Sequence, residues 1–280
     1  MTGHTFPEPA GGGGAATVGQ MLRDWRSRRR RSQLDLALDA GISQRHLSFV
    51  ESGRSMPSRD MVLRLAERLA VPLREQNRLL TAAGFAPVYS ERSLDDAALE
   101  AAGAVVRQIL AGYEPHPALA VDRHWTMVFA NRAVEIFLAG IDPKLLQPPV
   151  NALRVSLHPQ GLASRIVNFR EWRTHILVRL AHQAEVSADQ ILFGLMEELK
   201  SYPVPVDARP STRIDSEAYG GVAVPLQLSS EHGVLEFLST TTIFGTAQDI
   251  TLSELAIEAF FPANAETAAA IRLLDKPPHA

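Results

Sequence analysis

A short segment near residue 45 concentrates side chains that suit recognition of nucleic-acid bases. Gln44 can bond adenine through two atoms, and Arg45 can bond guanine in the same way. With His46 and Ser48, they fall on the exposed face or first turn of a predicted helix whose inward positions are apolar. Ser43 is placed to cap that helix, and the free N–H groups of a helix N-terminus attract phosphates and base edges. The segment predicts sequence-specific contact with DNA.

Two more polar residues stand at the ends of neighbouring elements. Gln33 begins the preceding predicted helix, and Arg54 follows the helix that starts at Gln44. From these positions they are expected to hold phosphates, which positions a protein on DNA without reading its sequence. Glu51 is acidic and is expected to be structural, holding Arg54 or a backbone amide instead of facing DNA.

Five short helices are predicted between residues 17 and 87, and they must position these side chains. The second and third are joined by a short turn that contains Gly41, which is the arrangement of a helix-turn-helix unit. This region holds 13 Arg and seven acidic residues, a net charge of +6, whereas residues 88–280 carry −8. A basic front on an acidic chain favours nucleic-acid binding by the front.

The order of motifs in residues 17–87 resembles the Cro/CI-type helix-turn-helix family, often called the XRE family. The resemblance rests on Gln33, the turn at residues 37–43, and Glu51-x-Gly53-Arg54 followed by Pro57. It implies a double-stranded DNA operator, with the start of the third helix in the major groove. Because a lone helix-turn-helix makes few base contacts, a homodimer on a two-fold operator is expected.

The rest of the chain alternates between strand and helix patterns. Strands are predicted at 118–121 and 126–130, helices over most of 144–201, and strands again at 222–228, 234–242 and 255–261, before a last helix at 265–274. Two strands, a helical insert and three strands are the order of a PAS-like fold. The predicted fold class is therefore an all-α five-helix helix-turn-helix domain followed by an α+β PAS-like domain, an antiparallel sheet with a helical insert.

Composition divides the chain into four parts. Residues 1–16 are rich in Gly and Pro and predict a flexible tail. The helix-turn-helix domain is expected at 17–87, a connector helix at 88–112 and the PAS-like domain at 113–275.

Three stretches of the second part, at residues 118–137, 151–172 and 244–262, resemble the ligand-binding domain of MmyB-like regulators. The resemblance covers roughly 104–275. It implies a bacterial transcription regulator whose PAS-like domain binds a fatty-acid-like small molecule.

A fatty-acid site needs a long apolar tunnel and a polar group for the carboxylate. The apolar wall is expected from the aromatic residues Trp125, Phe129, Phe137, Phe169, Trp172, Phe193 and Phe237. The carboxylate is expected at Arg154, Arg165 or Arg173, because the guanidinium fork matches two oxygens.

Several classes of function are disfavoured by the sequence. The chain has no Cys, which excludes disulfides, thiol catalysis and Cys-ligated metals. Its histidines are scattered, so no metal site or cofactor is expected. The sequence lacks the nucleophile elbow and the phosphate-binding loops, which argues against catalysis. No apolar run is long enough to span a membrane, so a cytoplasmic protein without membrane insertion is expected.

Two alternatives for the second domain stay open. It could be a protein-interaction or dimerisation module without a small ligand, or it could act as an enzyme on an acyl compound. An enclosed apolar cavity would distinguish a ligand sensor from an interaction module.

Overall fold

The computed structural model describes residues 16–93, 96–209, 224–245 and 249–274. Most of the predicted tail (1–15), parts of the predicted connector (94–95), the start of the strand predicted at 222–228, and residues 246–248 and 275 lie outside the described residues. The chain divides into two compact units, Met1–Tyr89 and Ser90–Ala280.

The first unit contains the five helices that the apolar spacing predicts. They are α1 (Val18–Arg28), α2 (Gln33–Asp39), α3 (Gln44–Glu51), α4 (Arg59–Arg68) and α5 (Leu73–Ala82). Each of the first four begins after a Thr or Ser whose side-chain oxygen accepts a hydrogen bond from a backbone N–H of the first turn. These caps set the helix starts, because they satisfy donors that have no partner within the helix.

The turn between α2 and α3 depends on a glycine. Gly41 has a φ of +66°, a left-handed conformation that costs glycine little. The next N–H, that of Ile42, donates to the carbonyl of Ala37 at 2.9 Å. Gly19 matters in another way, since an added Cβ there would lie 2.2 Å from the carbonyl oxygen of Val50. This close approach seats α1 against α3.

The second unit is built on an antiparallel sheet of five strands. They are β1 (Ala118–Val121), β2 (Met127–Ala130), β3 (Leu226–Ser230), β4 (Gly233–Ile243) and β5 (Ala256–Pro262), in the spatial order β2-β1-β5-β4-β3. The sheet, its helical insert and the helical first unit confirm the predicted fold class.

The two faces of the sheet carry separate apolar clusters. Helix α6 (Ala97–Gly112) covers one face, where Val106 and Leu110 pack with Ala118 and Ala120 of β1. The alternate residues of β1, Leu119 and Val121, belong to the larger cluster on the opposite face.

The helical insert and the last helices complete this larger cluster. The other elements among the described residues are two 3₁₀ turns (Arg132–Val134 and Pro143–Leu146) and the helices α7 (Glu135–Leu138), α8 (Ala152–Leu157), α9 (Phe169–Ser187), α10 (Gln190–Ser201), α11 (Ile250–Ser253) and α12 (Ala265–Leu274). Trp172, Ile176 and Leu180 of α9 are buried in the cluster at helical spacing. None of the described helices is both long and apolar enough to cross a membrane.

Candidate functional site

The start of α3 presents the predicted base-reading side chains to solvent. Ser43, Gln44 and Arg45 are exposed, and His46 and Ser48 are partly exposed. The Ser43 hydroxyl also accepts a hydrogen bond from the backbone N–H of His46, so it caps the helix as expected. The inward face of α3 holds the buried residues Leu47 and Val50. An exposed polar first turn on an apolar base is the geometry that major-groove reading requires.

An aromatic ring supports two of the arginines in this region. The Cζ atom of Arg45 lies 5.4 Å from the centre of the Phe49 ring, and that of Arg54 lies 5.9 Å from it. A guanidinium over an aromatic face is attracted by the ring quadrupole, so Phe49 helps to order both side chains. Phe49 is partly exposed and serves as a platform between them.

The buried carboxylate of Glu51 joins three helices of this unit. It accepts hydrogen bonds from Nε and Nη2 of Arg26 on α1, at 2.6 and 2.9 Å, and from Nε2 of Gln33 on α2, at 2.8 Å. The bond with Glu51 raises the pKa of Arg26. The prediction that Glu51 holds Arg54 or a backbone amide is therefore wrong. The Glu51 side chain is buried toward α1 and α2, whereas Arg54 is exposed. Glu51 also orients Gln33, one of the predicted phosphate contacts.

The second unit contains a cavity of about 800 Å³, a volume that includes the space at its mouth. It lies on the sheet face that the helical insert covers. The wall is formed mainly by apolar side chains: Leu119, Trp125, Met127, Val134, Phe137, Leu138, Val150, Ala152, Leu153, Val155, Leu162, Trp172, Ile176, Leu226 and Phe260. A concave site with a mostly apolar wall and a few polar groups is typical of small-molecule binding.

An ion pair provides charge in this wall. Arg179 of α9 donates from Nη1 and Nη2 to the two carboxylate oxygens of Glu258 on β5, at 2.9 and 2.5 Å. Its Nη2 also donates to the hydroxyl of Thr241 at 2.8 Å. The side chain of Glu258 is 5% exposed and that of Arg179 is 26% exposed. The wall also includes His175, Ser156 and Ser239.

Trp125 packs against the arginine of this ion pair. Its ring lies 4.7 Å from the Cζ atom of Arg179, and its Nε1 donates to the side chain of Gln183 at 2.9 Å. The backbone of Trp125 has a φ of +66°, which is rare for a large side chain and carries strain. Strained residues concentrate at functional sites, where the surrounding contacts hold them in place.

Trp172 and His175 form a second aromatic pair in the wall. Their rings stack with centres 5.5 Å apart, and the Nε1 of Trp172 donates to the hydroxyl of Ser156 at 2.9 Å. Burial, and secondarily the charge of Arg179, lower the pKa of His175. The imidazole is therefore neutral near pH 7 and can donate or accept one hydrogen bond.

Only three of the seven aromatic residues predicted to line the ligand site line this cavity. Trp125, Phe137 and Trp172 line it. Phe169 and Phe237 are fully buried in the core cluster, and Phe193 packs against that cluster.

Phe129 instead lies on the opposite face of the sheet, under the guanidinium of Arg107, whose Cζ is 5.0 Å from its ring centre. A β-bulge explains this position. The pairing shifts so that Met127 faces Val121 and Phe129 faces Ala120, which belongs to the α6 side.

The three arginines expected to bind a carboxylate do not line the cavity. Arg154 forms a two-point pair with Glu198, with both contacts at 2.8 Å. Arg165 donates to the carbonyls of residues 136, 137 and 139 at the end of α7. Arg173 donates to those of Leu199 and Lys200 at the end of α10. Carbonyls at a helix C-terminus lack partners within the helix, so arginines satisfy them.

Arg179 and Glu258 were not among the residues predicted for the ligand site, but each gives a signal in the sequence. Glu258 interrupts an otherwise apolar run of residues 255–261. Arg179 falls at helical spacing from Trp172 and Ile176, on the buried side of α9. A charged residue within a buried pattern needs a partner, and here each is the partner of the other.

Comparison with protein families places both units. A model described as the MmyB-like transcription regulator ligand binding domain matches residues 102–274, and a helix-turn-helix model matches residues 22–76. A comparison with curated proteins found no match to the chain. The described residues include no cluster of potential metal ligands. Because the first model spans more than half of the sequence, the chain belongs to the MmyB-like transcription regulators, DNA-binding proteins that join a helix-turn-helix domain to a ligand-binding domain.

Proposed function

We propose that this regulator binds a fatty-acid-like amphiphile in its second unit and that the amphiphile changes its affinity for DNA. The observation that carries the proposal is the cavity, whose wall is apolar except for the polar residues Ser156, His175, Arg179, Ser239 and Glu258. An alkyl chain would remove the apolar wall from water, at roughly 25 cal/mol per Å² buried. A polar head at the other end of the ligand would find hydrogen-bond partners. The cavity supports a ligand sensor over a protein-interaction module.

The DNA-binding part of the proposal rests on the start of α3. Gln44 and Arg45 are the residues that would read bases, with Ser43, His46 and Ser48 beside them. Gln33 and Arg54 would hold phosphates on either side. A homodimer would place two copies of α3 in successive major grooves of a two-fold operator, in the bacterial cytoplasm.

Regulation requires the amphiphile to bind two states of the protein with unequal affinity. The same free-energy difference then appears as a change in operator affinity, because coupling between two sites is reciprocal. We propose no catalytic activity. The two matched families are a DNA-binding fold and a ligand-binding domain, which supports regulation over turnover.

The experiment is mass spectrometry of the organic extract of the purified full-length protein, beside an unrelated protein from the same host. One amphiphile per chain is expected. Leu138→Trp, in the cavity wall, should abolish its retention. Val178→Trp, at a position on α9 that is 66% exposed, is the matched control and should retain it.

The extract is complemented by titration of the emptied protein with C10 amphiphiles, followed by tryptophan fluorescence. Trp125 and Trp172 line the cavity and would report binding. A protein that carries no amphiphile and binds none of those added would contradict the proposal. Equal retention by Leu138→Trp and the wild type would show that the ligand occupies another site.

A further inference from the structure

We propose that the cavity selects an amphiphile with an uncharged, oxygen-bearing head, such as an amide, ester, lactone or alcohol, and that Glu258 excludes the corresponding carboxylate. This inference rests on the proposed function, because it concerns the head group of the same ligand. It follows from how the charge of Arg179 is used within the protein.

Arg179 is the only Arg or Lys among the described residues of the cavity wall, and its charge is already matched. Both oxygens of Glu258 accept from it, at 2.9 and 2.5 Å, so the pair contributes no net charge. A carboxylate ligand would therefore bring an unmatched negative charge into a mostly apolar site. Burial of such a charge is unfavourable without a partner of its own.

Glu258 adds a repulsion that acts on a carboxylate head but not on an uncharged one. The residue lies on β5, the middle strand of the sheet, and its side chain is only 5% exposed, so its carboxylate is held inside the protein. A carboxylate bonded to Arg179 would lie roughly 4–6 Å from the Glu258 oxygens, a range at which like charges strongly disfavour each other. An uncharged head that makes the same hydrogen bond experiences no such repulsion.

The cavity wall contains hydrogen-bond donors that suit an oxygen acceptor on the head group of the ligand. Of the five N–H groups of a guanidinium, three are used by Glu258 and Thr241. The Nε–H and one Nη1–H have no acceptor among the residues that the structure describes. His175, one turn earlier on α9, and the hydroxyl of Ser239 also line the cavity. Carbonyl and hydroxyl oxygens can accept from such donors without adding charge.

The test compares two probes of equal chain length, decanamide and decanoate, on the emptied full-length protein at pH 8. Binding is followed by tryptophan fluorescence and by isothermal titration. The wild type should bind decanamide at least about tenfold more tightly than decanoate. Glu258→Gln retains the shape of the side chain and removes its charge. In this variant decanoate should bind about tenfold or more tighter than in the wild type, because Arg179 then has an unmatched charge.

Glu198→Gln is the matched control, since it removes the charge from another two-point Arg–Glu pair, with Arg154, outside the cavity. It should leave both affinities unchanged. Equal or tighter binding of decanoate to the wild type would overturn the inference and leave the proposed function in place. Binding of neither probe would overturn both. The wild-type comparison tests the preference for an uncharged head even if Glu258→Gln fails to fold.

Discussion

Arg179 and Glu258 link the long helix of the insert to the middle strand of the sheet inside a mostly apolar cavity. The two residues are 79 positions apart in the chain, and their side chains meet through two hydrogen bonds of 2.9 and 2.5 Å. Removal of charges from water is costly, and a well-packed apolar pair is often as stable or more stable. The presence of a charged pair in this cavity therefore favours a role in ligand recognition over a role in stability.

The stability of this pair can be tested by a double-mutant cycle. Arg179→Met alone should lower the free energy of unfolding by about 3 kcal/mol, because it leaves the Glu258 carboxylate buried without its partner. Arg179→Met combined with Glu258→Leu should recover most of that loss, since both charges are then absent. Urea denaturation of the full-length protein measures each step. Additive effects of the two substitutions would contradict this interpretation.

The network around Glu51 should determine the stability of the first unit. Glu51→Ala removes the acceptor for Arg26 and Gln33, and it should cost about 3–5 kcal/mol because the remaining Arg26 charge is largely buried. Fluorescence of Trp25, which is buried in α1, follows unfolding of this unit when Trp125 and Trp172 are replaced by Phe in every variant compared. Asp39→Ala is the control, because its pair with Arg31 is exposed to water and should contribute little. A similar loss in both variants would argue against the network.

The predicted DNA contacts separate into two kinds that salt and sequence can distinguish. Gln44→Ala should relax the base preference at one operator position and cost about 1–3 kcal/mol there. Arg54→Ala should weaken binding to all sequences about equally and reduce the salt slope by about 1. Fluorescence anisotropy with the operator and a scrambled duplex, at several salt concentrations, measures both effects. Identical behaviour of the two variants would show that this division of roles is wrong.

The second unit should lose stability as the pH falls below the ordinary histidine pKa of about 6.5. Burial lowers the pKa values of His175 and His116 in the folded state, so the unfolded chain binds more protons in this range and acid favours unfolding. His175→Gln should reduce the fall in melting temperature between about pH 7.5 and about pH 5.5.

His182→Gln is the matched control on the same helix. His182 is exposed to solvent, so this variant measures what loss of an imidazole outside the core does to the melting temperature. If His175→Gln has the full pH dependence of the wild type, His175 does not contribute to it.

The sequence by itself determined the elements and their order. Helix starts at Thr17, Ser32, Ser43 and Ser58 could be predicted because an N-cap bonds within its own first turn. The exposed start of α3 could also be predicted, because the spacing of Leu47 and Val50 determines which face of the helix points inward. These features depend on contacts between residues close in the chain, which a pattern in the sequence records directly.

Only the tertiary structure decided which polar side chains meet. An arginine on an amphipathic helix can bind a ligand, pair with a carboxylate or donate to backbone carbonyls. The residue type does not distinguish these three roles. Arg154, Arg165 and Arg173 were expected at the cavity and lie elsewhere, whereas Arg179 lines it. The bulge that turns Phe129 to the other face of the sheet has the same origin. Such outcomes depend on contacts between residues distant in the chain, and spacing along the chain does not encode which distant groups the fold brings together.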